Sequence, residues 1–329
     1  MRRALSLLSG SGQVVKLPNK GVLVPVDERQ SGDEQSTPVT MVQKKIVIGV
    51  AWSAVPDYNL VKWEEGIVKY AAEHQLEVRN YTSALNHEGT LNFLNHIEDY
   101  GVDGAIVVPY HTPEYVAALS RLMERRFPLV SIRTVPGISL NVVSANRGVG
   151  AYNATHYLIE KYKQPVYYIC EPIETETEQT QCLGYQSAMC EAGFDRLVDS
   201  HTLRYGLGTE DAGFWDNQKK WYPGYTVAKK LFERISEPVS ILGLSDYVGQ
   251  GVYEAAKEYH LTIGKDVRIV GFDDLPMTSF LNPTMSTVRT RKIDIGYEAM
   301  RLLQKVIAKY PEKTISVEVP CDLIIRESA

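Results

Sequence analysis

The chain lacks most of the arrangements that mark enzymes, redox proteins and membrane spans. Its four cysteines, Cys170, Cys182, Cys190 and Cys321, form no C-x-x-C pair and have no histidines at ligand spacing. Inert thiols in a reducing compartment are therefore expected, and a metal site is not. No G-x-S-x-G, P-loop or H-E-x-x-H occurs, and Val50-Ala51-Trp52-Ser53 is neither a dinucleotide fingerprint nor a phosphate cradle. Glu174, Glu176 and Glu178 read more naturally as a solvated face than as a catalytic pair. The expectation is a protein with no catalysis, cofactor or metal. Long apolar runs are missing too: no window approaches the roughly eighteen residues that a spanning helix needs. Arg2 and Arg3 are followed by no apolar run with a small-residue cleavage site. No secretory signal is read, and a cytoplasmic location is expected.

What is present is ordinary globular composition over 329 residues, 44% hydrophobic and 23% charged, enough for two lobes with separate cores. The net charge of −5 conceals an asymmetry. Residues 1–25 carry Arg2, Arg3, Lys16 and Lys20 with no acid, so a basic head of +4 precedes a body of −9. Such a distribution points to a head that alone meets polyanions. From residue 45 onward, short β-branched runs alternate with amphipathic stretches. The pattern predicts strands at 45–50, 76–81, 104–108, 129–132 and 141–145, with helices at 59–74, 89–100 and 113–126 between them. A second set follows: helix 148–161, strand 165–169, helices 178–191 and 224–235, strand 239–244, helix 247–259 and strand 268–271. Strand 286–288, helix 294–308 and strands 314–319 and 322–326 close the chain. Alternation of this kind implies βαβ units and parallel sheets.

The run Val267-Arg268-Ile269-Val270-Gly271-Phe272-Asp273-Asp274-Leu275-Pro276 ends a strand on two carboxylates and a proline. Open α/β sheets bind ligands beyond the carboxyl ends of their strands. With Ser286-Thr287-Val288 and Ile295-Gly296-Tyr297-Glu298-Ala299, this run resembles the effector-binding domain of the lactose repressor family, a fold shared with periplasmic sugar-binding proteins. The resemblance implies an α/β fold of two doubly wound Rossmann-like lobes with a cleft between them, the type I periplasmic-binding-protein-like architecture. It further implies three crossings between lobes, near 145–147, 288–291 and 320–321. The effector domain would occupy 45–329, with a first lobe at 45–145 and 291–319 and a second at 146–288 and 321–329.

The head has its own likeness. Arg2-Arg3-Ala4-Leu5-Ser6-Leu7-Leu8 fits the end of a helix stopped by glycines, and Gln13 to Val24 reads as a hairpin with a basic tip. This resembles the last third of a GntR-type winged helix, which would place Arg2 and Arg3 on the recognition helix and Lys16 and Lys20 on or near the wing. The chain begins inside that motif, so a truncated or misassigned start is expected. A chain lacking the front helices would grip DNA poorly. A hairpin that merely packs on the body remains the alternative. Residues 26–44, rich in Asp, Glu, Gln, Ser and Gly, read as a tether. Head and body together are similar to arabinose-type repressors.

Sugars require carboxylates and amides for their hydroxyls and aromatic faces for their C–H sides. Candidates at strand ends are Trp52, Asp57, Tyr58, Tyr110, His111, Arg133, Asn146 and Arg147 in the first half, then Gln181, Trp221, Tyr222, Ser245, Asp246 and Asp273. Ser53, Glu171, Glu174 and Trp215 lie at similar positions. By resemblance, Asp273 falls on a ligand-contacting aspartate, although a loop cap or lobe-crossing bond would also suit it. Asp246 is either a contact or the N-cap of the next helix. Trp221 and Tyr222 either stack on a ring or join the core, and His111 fits an exposed loop as well as a contact. By resemblance, Gln181 stands where many relatives carry arginine, so the usual clamp is either absent or supplied elsewhere, with Arg133 and Arg147 as the candidates. The reading is a ligand-responsive repressor, homodimeric by resemblance, with a sugar effector and operator DNA as partners. The alternative is a solute-binding protein serving a transporter or receptor.

Overall fold

The computed structural model describes residues 15–17, 21–23, 45–52, 58–81, 87–108, 112–171, 176–205 and 220–329. Strands β1 (Val15–Leu17) and β2 (Gly21–Leu23) pair antiparallel, with Val15 opposite Leu23. The body then runs β3 (Val47–Trp52), α1 (Tyr58–Glu73), β4 (Glu77–Asn80), α2 (His87–Asn95), β5 (Gly104–Val108), α3 (Pro113–Glu124), β6 (Leu129–Ser131) and β7 (Val142–Ala145). There follow α4 (Arg147–Tyr162), β8 (Val166–Cys170), α5 (Glu176–Glu191), α6 (Val198–His201), β9 (Thr202–Arg204), α7 (Tyr222–Phe232), β10 (Val239–Gly243) and α8 (Asp246–Glu258). The last elements are β11 (Val267–Phe272), β12 (Ser286–Thr290), α9 (Lys292–Ala308), β13 (Ser316–Val319) and β14 (Cys321–Ile324).

Two six-stranded sheets form, in the orders β13-β7-β6-β5-β3-β4 and β14-β12-β11-β10-β8-β9. Every pairing is parallel except β12 with β14. The central strands β3 and β5 are buried at every position, which explains their nearly continuous apolar text. Their alternate side chains serve two cores. Val50, Trp52, Ile106 and Val108 face α1 and α9, whereas Ala51, Ala105 and Val107 face α2 and α3. A third core fills the second lobe around Val166, Ile241, Ile269 and Phe272. No helix among the described residues is long and apolar enough to cross a membrane.

The chain moves between sheets at Asn146, Arg291 and Pro320, each a single residue between elements of different lobes. Helix starts follow local capping chemistry. The Asn146 side chain accepts from the Val149 amide at the head of α4, and that of Ser245 from the Val248 amide at the head of α8. Three helix pairs approach through glycine, among them α7 and α8, where a Cβ on Gly224 would overlap the Val248 carbonyl. A Cβ on Gly184 of α5 would overlap the Gly148 carbonyl of α4, and one on Gly296 of α9 would overlap the Trp63 carbonyl of α1. The predicted helix 89–100 is divided: α2 ends at Asn95, and a 3-10 turn, Ile97–Tyr100, closes on Gly101 at φ 63°. Strand β9, only three residues at a sheet edge, carries too short a pattern to be read in advance.

Candidate functional site

The carboxyl ends of the second-lobe strands converge on one guanidinium. Arg147 is the first residue of α4, set there by the Asn146 cap immediately after the chain leaves the first sheet. Its Nε donates to Gln181 Oε1 at 2.9 Å, and one terminal nitrogen meets Asp273 Oδ1 at 2.9 Å. The other donates to the Leu244 carbonyl, beyond β10, at 3.3 Å. The flat of the guanidinium lies 4.2 Å from the Phe272 ring centroid. Burial acts to lower the pKa of this cation, but the charge and hydrogen bond of Asp273 more than offset it and the net shift is upward. The glycine contact between α4 and α5 makes the Arg147–Gln181 bond possible, because it brings the two helices to backbone distance.

Asp273 is held in a conformation that L residues rarely adopt, φ 102°, and Asp274 follows at φ 50°. Backbone of this kind costs about 1–3 kcal/mol and needs surroundings that enforce it. Here the Asp273 amide donates to the Val288 carbonyl at 2.8 Å, and its own carbonyl accepts from the Lys292 ammonium. Asp274 is gripped by Arg289 at 2.7 Å and Arg326 at 2.8 Å. These bonds hold its carboxyl below the usual range despite burial. Leu275 N–H donates to Asp246 Oδ2, and Thr287 Oγ1 donates to Asp246 Oδ1, both at 2.6 Å. A strained loop results, whose Asp273 carboxylate is held by Arg147 and keeps 18% of its side-chain surface exposed.

Glu171 directly follows β8. Burial, then the neighbouring Glu178, push its carboxyl up to about 7, while the charges of Arg133 and Arg147 pull it down. Arg133 follows β6 of the first sheet, so a charge of one lobe is felt by a carboxyl of the other. Tyr58, at the head of α1, is 37% exposed and lies 5.7 Å from the Lys292 ammonium by ring centroid.

Three expected contacts are corrected by burial. Trp52 is core: 1% exposed, with its ring 6.3 Å from Trp63 and its carbonyl accepting from Thr90. Asp246 is fully buried and both its oxygens are engaged inside the lobe, while the cap of α8 is Ser245. Burial and the Asp273 charge push the Asp246 carboxyl well above its ordinary value. Gln181 is also fully buried, accepting from Arg147 and donating to the Leu244 carbonyl at 3.1 Å, so it supports the guanidinium rather than a ligand. Asn146 caps α4 and donates to Glu318. Trp221 and Tyr222 sit half-buried at the head of α7, edge-on to each other at 6.0 Å and packed against Tyr225. Asp57, Tyr110, His111, Ser53, Glu174 and Trp215 lie outside the described residues, as do Arg2, Arg3, Lys20 and the Lys16 side chain. Phe272 stood inside the run that drew attention, yet nothing marked it as the platform for Arg147. Lys292 and Arg326 carried no signal in the sequence, and Thr287 appeared only within the family-like run without a role, because their roles depend on contacts distant in sequence.

Comparison with known proteins fits this geometry. The family described as periplasmic binding protein-like domain matches residues 155–329. The chain is 25% identical over 251 residues to the HTH-type transcriptional repressor PurR of Haemophilus influenzae, spanning 75% of this chain and 70% of that protein. It is 25% identical over 294 residues to catabolite control protein A of Priestia megaterium, spanning 87% and 82%. The crystal structure of a regulatory protein of the LacI family from Chloroflexus aggregans superposes with a TM-score of 0.72 at 25% identity, covering 86% of this chain and 98% of that one. The chain belongs to the periplasmic binding protein-like domain family, and its likeness within that family runs to transcriptional regulators.

Proposed function

We propose that this chain is a ligand-responsive transcriptional repressor whose body binds a sugar or related small metabolite between its lobes. The observation that carries the reading is the Arg147–Asp273 clamp at the carboxyl ends of β10 and β11, beside the first crossing between lobes. A carboxylate with one oxygen on arginine keeps acceptor capacity for a pair of hydroxyls. Arg147 retains N–H groups beyond the three used inside the lobe. Tyr58, beside Lys292 and partly exposed, offers a ring face. Operator binding belongs to residues 1–25 as part of a winged helix, with 26–44 as tether and 45–329 as the effector domain. The basic charge of that segment and the β1–β2 hairpin support this assignment. A cytoplasmic homodimer is the form in which closing lobes would respace two DNA-binding heads.

The test is a thermal-shift screen of pentoses, hexoses, deoxysugars and uronates against wild type and Asp273→Ala. A ligand at a hundred times its Kd stabilises the folded state by about 2.7 kcal/mol. At least one sugar is expected to raise the wild-type midpoint and to lose that effect in the variant. No shift across the panel, or equal shifts in both proteins, would count against the reading.

A further inference from the structure

Two of the three passages between the lobes deliver a residue to Asp273, and the third brings a thiol into the same electrostatic neighbourhood. Arg147 follows the passage at 146 and takes the Asp273 carboxylate; Lys292 follows the passage at 291 and takes its carbonyl. Cys321 follows the passage at 320, where burial pushes its thiol up to about 11 and the charges of Arg147, Asp273 and Lys292 all act on it. The first and third passages are bonded to each other: Ala145 pairs with Val319, and the Asn146 amide donates to the Val319 carbonyl at 2.8 Å.

Arg147 and Lys292 are also the first residues of their helices. The helix macrodipole disfavours cations there. Lys292 is in addition only 6% exposed, and a buried ammonium is costly without partners. Its partners come from both lobes: the Tyr58 ring from α1 of the first, and the Asp273 carbonyl from the second. Rotating one lobe about the passages would draw the ammonium from that carbonyl and leave the positive-φ loop without one of its restraints. Ile295, Ala299 and Leu303 root the rest of α9 in the first-lobe core, so Lys292 cannot simply follow the second lobe.

We infer that Lys292 is a positioning residue: it fixes Asp273 in its strained conformation and ties it to the first lobe, so that the ligand-facing carboxylate and the angle between lobes change together. The ligand half of this statement rests on the proposed function, whereas the tie between lobes does not.

The test needs no ligand. Spin labels on Val68→Cys, exposed on α1, and on the native exposed Cys190 of α5 report the distance between lobes by double electron–electron resonance. Amide exchange of Asp273, Asp274 and Leu275 reports the loop. Wild type and Lys292→Arg are expected to give one narrow distance and slow exchange. Lys292→Met should broaden the distribution at least twofold and speed exchange at least tenfold, with far-UV circular dichroism unchanged. Should Lys292→Met not fold, Lys292→Gln, too short to span the gap, is read in its place with the same expectation. A distance as narrow as wild type, or exchange unchanged, in the folded variant would overturn the inference. So would Lys292→Arg behaving like Lys292→Met. Failure of the sugar screen would leave this result standing, and this result alone would not rescue the screen.

Discussion

Asp246 and Asp273 are carboxylates just beyond the ends of neighbouring strands, yet their surroundings give them different tasks. Asp246 accepts from Leu275 N–H and Thr287 Oγ1 deep inside the lobe, so Asp246→Ala would leave two buried donors without an acceptor. Each such loss costs about 1–3 kcal/mol, and urea denaturation should show the variant about 2–4 kcal/mol less stable than wild type. A loss below about 0.5 kcal/mol would contradict the structural role. Glu171 supports a second prediction. Its folded carboxyl sits at about 7, above the roughly 4.3 of an unfolded glutamate, so the native state binds more protons in that interval. Stability therefore falls as pH rises from about 4.3 to 7, and the deficit persists above. Glu171→Gln removes it: the variant should match wild type at pH 4 or below and exceed it by about 1–3 kcal/mol at pH 8. A variant no more stable than wild type at pH 8 would refute the assignment.

At the level of elements, the helix pairs decide where the functional side chains stand. Gly184 and Gly148 let α4 lie against α5, which brings Arg147 within 2.9 Å of Gln181. Gly184→Ala places a methyl group on the Gly148 carbonyl and must push the helices apart. Overpacking of this sort costs about 1–3 kcal/mol. The variant is expected to melt lower and to bind any sugar found in the screen at least tenfold more weakly, measured by calorimetric titration. Unchanged affinity would show that the clamp does not depend on this contact. Most elements were legible because their text is periodic: β3 and β5 read as apolar runs, and α9 shows its buried stripe of Ile295, Ala299 and Leu302. The site was legible only in part. Asp273 and Arg147 stand at strand and helix ends, positions the fold makes accessible. The engagement of Gln181 and Asp246 inside the lobe, and the reach of Lys292, follow from tertiary contacts that no local pattern encodes.

For the whole molecule, the main fact is that neither lobe is a continuous stretch of chain. The first-lobe core is completed by α9 and β13, and the second-lobe sheet by β14, all after the body of the second lobe has been made. Two rigid cores joined by three short passages have one easy motion, a change of the angle between them. A ligand that contacts both lobes therefore favours one angle by its differential affinity, and a regulator needs no more than that from its sensing domain. Small-angle X-ray scattering follows that motion during titration with the sugar giving the largest thermal shift. The account predicts that the radius of gyration of the wild type falls and saturates with binding, while Asp273→Ala shows no change at the same concentrations. Binding of the sugar to the wild type with no change in radius, or the same contraction in Asp273→Ala, would contradict it.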